Sequence, residues 1–270
     1  MRVVIEESYE AMSKVAACMV ADLVREKPDC VLGLATGSTP LGLYDELVRM
    51  SHQGLDFSRV TTFNLDEYYG VPAQDERSYH HFMEMHLFAR LSSRPARTHI
   101  PDGLTEDPGS YCERYEELIG EAGGIDLQVL GIGRDGHIGF NEPGSSLGSR
   151  TRLKTLAAET IDDNARFFGS REQVPEFAIT MGVGTIFEAR HCMLLASGVR
   201  KAHVVAQAIE GPVTSWVTAS ALQLHRDAAV VIDEEAAGQL ERLAYYKHVE
   251  RKRAELIAQN KPRIAAAIAG

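Results

Sequence analysis

Short runs that are apolar at nearly every position recur along the chain: "RVVI" (2–5), "CVLGLA" (30–35), "VTTFNL" (60–65), "LQVLGIG" (127–133), "HCMLLA" (191–196) and "AAVVI" (228–232), with a weaker one at "FAITMG" (177–182). They have the length of strands, and their apolar character on both sides suits strands covered on each face. Amphipathic stretches of helical spacing alternate with them, among them 8–26, 40–52, 108–121 and 200–209. This alternation predicts an α/β fold: one three-layer, Rossmann-like domain, its mostly parallel sheet flanked by helices on both faces. No Pro/Gly/Ser-rich linker, internal repeat or low-complexity tract divides residues 1–270. A single domain is therefore expected, ending in a charged, solvated helical tail from about residue 250 that bends or stops near Pro262.

Ligands of such sheets bind beyond the carboxyl ends of the strands, and the unusual polar segments stand there. "TGSTP" follows the second run, "DEYY" the third, "GRDGHIGFNEP" the fourth and "SGVRK" the run at 191–196. Four loops are thus expected to converge on one edge of the sheet. In "LATGSTP" (34–40), Gly37, Ser38 and Thr39 offer N–H groups and hydroxyls at the start of a helix, with Pro40 in its first turn. That is a natural phosphate cradle, although an ordinary capped turn would look similar. It matches neither nucleotide-binding glycine pattern, so ATP and dinucleotides are not indicated. In "FNLDEYY" (63–69), Asp66 and Glu67 are adjacent in an extended segment, so one is expected to face a pocket and the other to face away. A pair of capping residues is the plainer alternative. The pair "HH" at 80–81 suits the start of a helix and is assigned no chemistry.

The segment "GIGRDGHIGFNEP" (131–143) places Asp135, His137 and Glu142 within eight positions among four glycines. The glycines favour a loop that turns sharply or lies against a ligand. A polar turn and a metal site both compete with a catalytic loop. The metal assignment lacks a further His or Cys partner, and a serine-hydrolase assignment lacks the GxSxG elbow. A histidine flanked by two carboxylates can be an oriented acid/base.

Composition narrows the classes. A hydrophobic fraction of 44% with 24% charged residues is ordinary for a globular protein, and the net charge of -10 argues against nucleic-acid binding. A small anionic ligand would need local counter-charges. The N-terminus does not resemble a signal peptide, and no apolar run reaches the length of a membrane span. Four scattered cysteines without a CxxC pair suit buried thiols in the cytoplasm.

Taken in order, "LGLATGSTP", "FNLDEYY", "GIGRDGHIGFNEP", "SSLGSRTRLKTL", "ARFF", "ITMGVGTI" and "LQLH" resemble the glucosamine-6-phosphate deaminase (glucosamine/galactosamine-6-phosphate isomerase) family over about residues 1–250. The chain departs from it at Ser38, where a second glycine is common, and in its extended C-terminal tail. The resemblance implies conversion of glucosamine 6-phosphate and water into fructose 6-phosphate and ammonia, with neither metal nor cofactor. It implies that His137 opens the sugar ring, that Asp135 and Glu142 orient it, and that Asp66 moves the C2 proton. Gly37, Ser38 and Thr39 would hold the phosphate, with Arg166 and Lys201 as counter-charges. Arg152 and Lys154, two apart in an extended segment, would share a face. The resemblance makes them, with Ser145 and Thr155, an effector site for N-acetylglucosamine 6-phosphate at a subunit boundary, hence a homo-oligomer and in regulated forms a hexamer. Hydrolysis of 6-phosphogluconolactone is the alternative activity, but it needs no C2 base. A phosphosugar sensor is the non-catalytic alternative; it would be expected to carry a DNA-binding segment and to have lost acid/base groups.

Overall fold

The computed structural model describes residues 1–259, which form β1 (Arg2–Glu6), α1 (Tyr9–Glu26), β2 (Val31–Leu34), α2 (Leu41–Ser51), β3 (Thr61–Asn64), β4 (Asp66–Tyr68), α3 (Tyr79–His86), β5 (Arg97–His99), α4 (Pro108–Glu121), β6 (Leu127–Leu130), β7 (Arg152–Thr155), α5 (Ala158–Phe168), β8 (Phe177–Thr180), α6 (Val183–Phe187), β9 (His191–Ala196), α7 (Ala202–Glu210), β10 (Ala228–Asp233) and α8 (Leu243–Ala258). Helix starts follow local chemistry. Ser8 and Ser78 accept from the N–H groups of Ala11 and His81, and Asp107 accepts from Ser110 ahead of Pro108 in the first turn.

Seven strands make one parallel sheet in the order β1-β10-β9-β6-β2-β3-β5. Alternate residues of each strand enter different cores, as a strand buried on both faces requires. Val31, Leu194 and Val230 pack with Tyr115, Ile186 and Val205 of α4, α6 and α7. Leu32, Leu195 and Val231 pack on the opposite face with Val20, Leu47 and Met83 of α1, α2 and α3. From β2 the chain proceeds outward through β3 to β5, then returns to β6 on the other side of β2 and proceeds through β9 to β10. The order therefore reverses between β2 and β6, where a sheet of this type leaves a crevice.

The run at 177–182 departs from expectation. It forms β8 of a separate antiparallel sheet, β4-β8-β7, rather than a strand of the main sheet. Its apolar pattern reflects burial, with Ala178, Ile179 and Met181 fully buried, which periodicity alone does not distinguish from a central strand. The place of a seventh parallel strand is taken by β5, a polar segment paired with β3 through Thr61↔Arg97 to Phe63↔His99. In the small sheet, Asp66, Thr180 and Arg152 lie in one cross-strand row.

The charged tail begins as α8, tied to β1 by Arg2 and Glu250 at 2.8 Å. The remainder expected of it, including Pro262, lies outside the described residues. No helix among the described residues is long and apolar enough to cross a membrane.

The turn that leaves β2 is fixed from beneath. Fully buried Tyr44 on α2 donates its hydroxyl to the Ala35 carbonyl at 2.5 Å. Tyr44→Phe strands that carbonyl in the core and is expected to cost about 1–3 kcal/mol. Urea denaturation checks this as a lower midpoint with an unchanged slope; an unchanged midpoint would count against the bond.

Candidate active site

A cavity of about 510 Å3 opens at the carboxyl ends of the strands, at the reversal between β2 and β6. The four loops singled out in the sequence meet there: Thr36–Thr39 after β2, Asp66 and Tyr68 after β3, Gly131–His137 after β6, and Lys201 after β9. The start of α3, through Ser78 and Tyr79, and the middle and last turn of α5, through Asp163 and Arg166, close its sides.

Asp66 and Glu67 divide as strand geometry requires. Asp66 lines the cavity. Glu67 turns away and accepts from the N–H groups of Tyr79 and His80 at the start of α3. The Asp66 carboxyl is pushed up to about 7 by burial and by the Glu67 charge, with His137 pulling in the opposite direction. A carboxylate so placed titrates near neutrality, the condition a general base needs.

Within the loop after β6, His137 has Nδ1 2.7 Å from Asp135 Oδ1 and 3.4 Å from Glu142 Oε2. Burial alone would favour the neutral ring, but the two carboxylates outweigh it and raise the imidazole to about 9. Burial likewise acts against the anions of Asp135 and Glu142, yet the His137 charge and nearby donors hold both below their ordinary values. With Nδ1 engaged, Nε2 is the nitrogen left to meet a ligand. These three residues bring ligand-type atoms within 4.8 Å of one another. The 2.7 Å contact is a direct one, because donors about 2.0–2.2 Å from a shared zinc would stand further apart.

Glu142 has a second task. Its Oε1 accepts from the N–H of Ala157, at 3.1 Å, and so caps α5, whose own Ala157 cannot cap it. Gly133 explains one of the glycines: a Cβ there would lie 2.4–2.5 Å from the His137 ring atoms. The ring packs flat on bare backbone.

At the other end of the cavity, Gly37 has φ +97°, which bends the loop after β2 back toward the helix. The Tyr9 hydroxyl stands 3.2 and 3.1 Å from the carbonyls of Ser38 and Thr39 and accepts from Gly42 N. Those contacts hold the carbonyl side of the loop against Tyr9. Lys201 donates to the Ile132 carbonyl at 2.6 Å, and burial lowers its pKa against the pull of Asp163 and Asp135. Arg166 lines the same cavity, 4.6 Å over the Phe167 ring.

Asp66, His137, Gly37, Ser38, Thr39, Arg166 and Lys201 are thus brought to one cavity, with Asp135 and Glu142 behind His137. Ser145, Arg152, Lys154 and Thr155 are not among its lining residues. Arg152 and Lys154 share the more buried face of β7, as expected, whereas Thr155 alternates to the exposed one. Two cavity cations escaped the sequence. Arg134 lies inside "GRDGH" and pairs with Asp163 at 2.9 Å, while Arg77 pairs with Asp75 in a stretch without any pattern. Position within the glycine loop could have signalled Arg134; nothing local signals Arg77. The pair at 80–81 lies in the first turn of α3, as anticipated.

Residues 5–231 match the model of the family described as glucosamine-6-phosphate isomerases/6-phosphogluconolactonase. The chain is 52% identical over 251 residues to a glucosamine-6-phosphate deaminase of Hahella chejuensis, covering 93% of this chain and 96% of that protein. It is 53% identical over 241 residues to one of Halothermothrix orenii, covering 89% and 100%. A solved monomeric glucosamine-6-phosphate deaminase superposes with TM-score 0.86 at 47% identity, over 88% of this chain and 100% of that one. A 6-phosphogluconolactonase from Trypanosoma cruzi superposes with TM-score 0.70 at 22% identity, over 89% and 97%, a likeness of fold alone.

Gly133→Ala is expected to lift the His137 ring off the loop and away from its carboxylates. The imidazole should then titrate toward the free value of roughly 6.5 instead of about 9. NMR of the ring protons against pH checks this; an unmoved midpoint would show that the loop accommodates the methyl.

Proposed function

The chain belongs to the glucosamine-6-phosphate isomerases/6-phosphogluconolactonase family, and we propose that it is a deaminase converting glucosamine 6-phosphate and water into fructose 6-phosphate and ammonia. The observation that carries this is the pairing of two titratable groups in one cavity, with Asp66 near 7 and His137 near 9. A carboxyl raised to about 7 gives up its proton near neutrality while an imidazole raised to about 9 keeps its own, which assigns a base and an acid. A lactonase would have no use for a buried base at the end of β3.

The phosphate lies on the Gly37, Ser38 and Thr39 loop, with Lys201 and Arg166 as counter-charges, which orients the sugar toward Asp66. Protonated His137 gives its proton to the ring oxygen and receives that of the anomeric hydroxyl, so the ring opens without net proton loss. Asp135 and Glu142 hold the imidazole in register. Asp66 then removes the C2 proton; the C–H electrons form the enolamine, and the proton returns at C1. Water adds to the resulting C2 imine and ammonia leaves. These steps use groups of this chain and call for no cofactor or metal. The four cysteines are free, and burial raises the thiols of Cys30, Cys112 and Cys192. Such unreactive thiols suit action in the cytoplasm.

Asp66→Asn is expected to keep substrate binding and lose roughly 10²–10⁴-fold in turnover, since an amide cannot take the C2 proton. Exchange of the C2 hydrogen with solvent should fail in parallel. In the wild type, kcat/KM should rise as Asp66 loses its proton through about 7 and fall as His137 loses its own above about 9. Ammonia release with N-acetylglucosamine 6-phosphate and 6-phosphogluconolactone as control substrates tests the assignment. Exchange at the wild-type rate in Asp66→Asn would remove Asp66 as the base.

Regulation is the second part of the proposal. Ser145 Oγ is buried without a partner, and Arg152 and Lys154 lie on one face of β7. Arg152 donates to Asn141 Oδ1 at 2.9 Å, one residue from Glu142. These groups support an anion site for N-acetylglucosamine 6-phosphate at a boundary between subunits of a homo-oligomer, with Thr155 contributing through its main chain. Effector binding would then bias the Glu142 loop. Coupling of about 1–3 kcal/mol, or roughly 5–150-fold in apparent substrate affinity, is expected in the wild type and is lost in Arg152→Ala. Substrate titrations with and without the effector, alongside light scattering for the number of subunits, check this. Hyperbolic curves that the effector leaves in place, from a monomer, would end the regulatory part alone.

A further inference from the structure

Beside Asp66 stands a second buried carboxylate that the chemistry above leaves unused. Glu67 is 0% exposed. Among the described residues its hydrogen-bond partners are main-chain donors rather than cations. Its oxygens accept from the N–H groups of Tyr68 at 2.9 Å, Tyr79 at 3.0 and 2.9 Å, and His80 at 3.1 Å. Tyr79 and His80 open α3, so these are donors that the helix itself leaves unpaired, at its positive end. Ser78 Oγ takes the next one, from His81. Burial outweighs these three backbone donors and pushes the Glu67 carboxyl up to about 7, so its charge is developed above neutrality.

The same contacts tie two parts of the cavity together. Asp66 is on β4, a strand of three residues, while Ser78, Tyr79 and Phe82 of the α3 start form the facing wall. Glu67 joins them. Because neighbouring strand residues point to opposite sides, Asp66 faces the sugar and Glu67 faces the helix, one peptide apart. The other groups acting on Asp66 are His137 from the loop after β6, Tyr68 on its own strand, Tyr79 from α3 and Tyr115 from α4. Asp75, in the turn before α3, acts on Glu67 and is paired with Arg77. Burial keeps all three tyrosines neutral far above neutral pH. His137 and Glu67 therefore remain as the charges that set Asp66, and they act in opposite directions.

We propose that Glu67 is a positioning residue of the reaction: its carboxylate locks the strand of Asp66 to the start of α3, and its negative charge makes Asp66 the stronger base. This rests on Asp66 being the base of the deamination. A glutamine at 67 keeps the volume, removes the charge and sets an NH2 against a main-chain donor. An aspartate keeps the charge but draws it back from α3 by one methylene.

The test is ammonia release from glucosamine 6-phosphate across pH 5.5–9.5 by wild type, Glu67→Gln and Glu67→Asp, with folding checked by circular dichroism. In Glu67→Gln the acid limb of kcat/KM should move down by about one pH unit, and kcat at about pH 8 should fall roughly tenfold as the base weakens. In Glu67→Asp the limb should hold while kcat falls. A purely structural role lowers activity evenly across pH, so coincident limbs in wild type and Glu67→Gln overturn the proposal. If Glu67→Gln does not fold, Glu67→Met, which also removes the charge, is read in its place: a limb moved down supports the proposal, and a coincident limb overturns it. A wild type that releases no ammonia overturns the deaminase assignment and this with it; active wild type with unmoved limbs overturns this alone.

Discussion

A charge taken out of water has to be met by another charge or by dipoles aimed at it, and the carboxyl edge of the sheet is built around that requirement. Several loops at this edge are held by a buried or half-buried carboxylate whose oxygens also bind the next piece of chain, whereas the turn after β2 is held by the hydroxyls of Tyr9 and Tyr44. After β3, Glu67 holds the start of α3. After β6, Asp135 accepts from the N–H of His137 as well as facing its ring, and Glu142 caps α5. At the end of β10, Asp233 accepts from Gly198 N at 3.0 Å and Ala236 N at 2.8 Å and binds the Ser197 hydroxyl. That last carboxylate fixes the turn that delivers Lys201. The loops of the site are therefore tied by carboxylate hydrogen bonds as well as packed by apolar residues such as Leu65, Ile132 and Ile138.

The same requirement divides the work among acids of one chemical type. Among the described residues Asp66 has no cation hydrogen-bonded to it, so burial and the Glu67 charge raise it. Asp135 touches an imidazolium and is lowered despite burial. One is thereby able to take a proton at neutral pH, whereas the other remains an anion that only holds and orients. Residue type fixes the range of such behaviour, and contact within a few ångströms selects the value.

The small antiparallel sheet carries a second consequence. Asp66, Thr180 and Arg152 occupy one row, and Thr180 Oγ1 accepts from Phe140 N at 3.1 Å while Arg152 reaches Asn141. Asp66, the loop that carries His137 and Glu142, and the β7 cations thus share one hydrogen-bonded frame. Asn141 is fully buried and also donates to the carbonyls of Ile138 and Met181, both at 2.8 Å. A shift of β7 would have to pass through this frame to reach Glu142.

The apolar runs and the helical spacing between them determined the layered α/β fold, because burial on both faces leaves a mark at every position of a strand. The loop residues were legible by type and by their place after strands, and Asp66, His137 and the Gly37–Thr39 turn all line the cavity. Tertiary structure alone decided the rest. Strand β5 carries no apolar run and exists through its pairing with β3, while β8, which does carry one, went to another sheet. Arg77 reaches the cavity from a stretch with no signature, and Glu67 differs from Asp66 only by the side of the strand on which it falls. Hydrophobic patterning is a local property that the chain displays in order. Pairing, burial and proton affinity depend on which groups folding brings within a few ångströms.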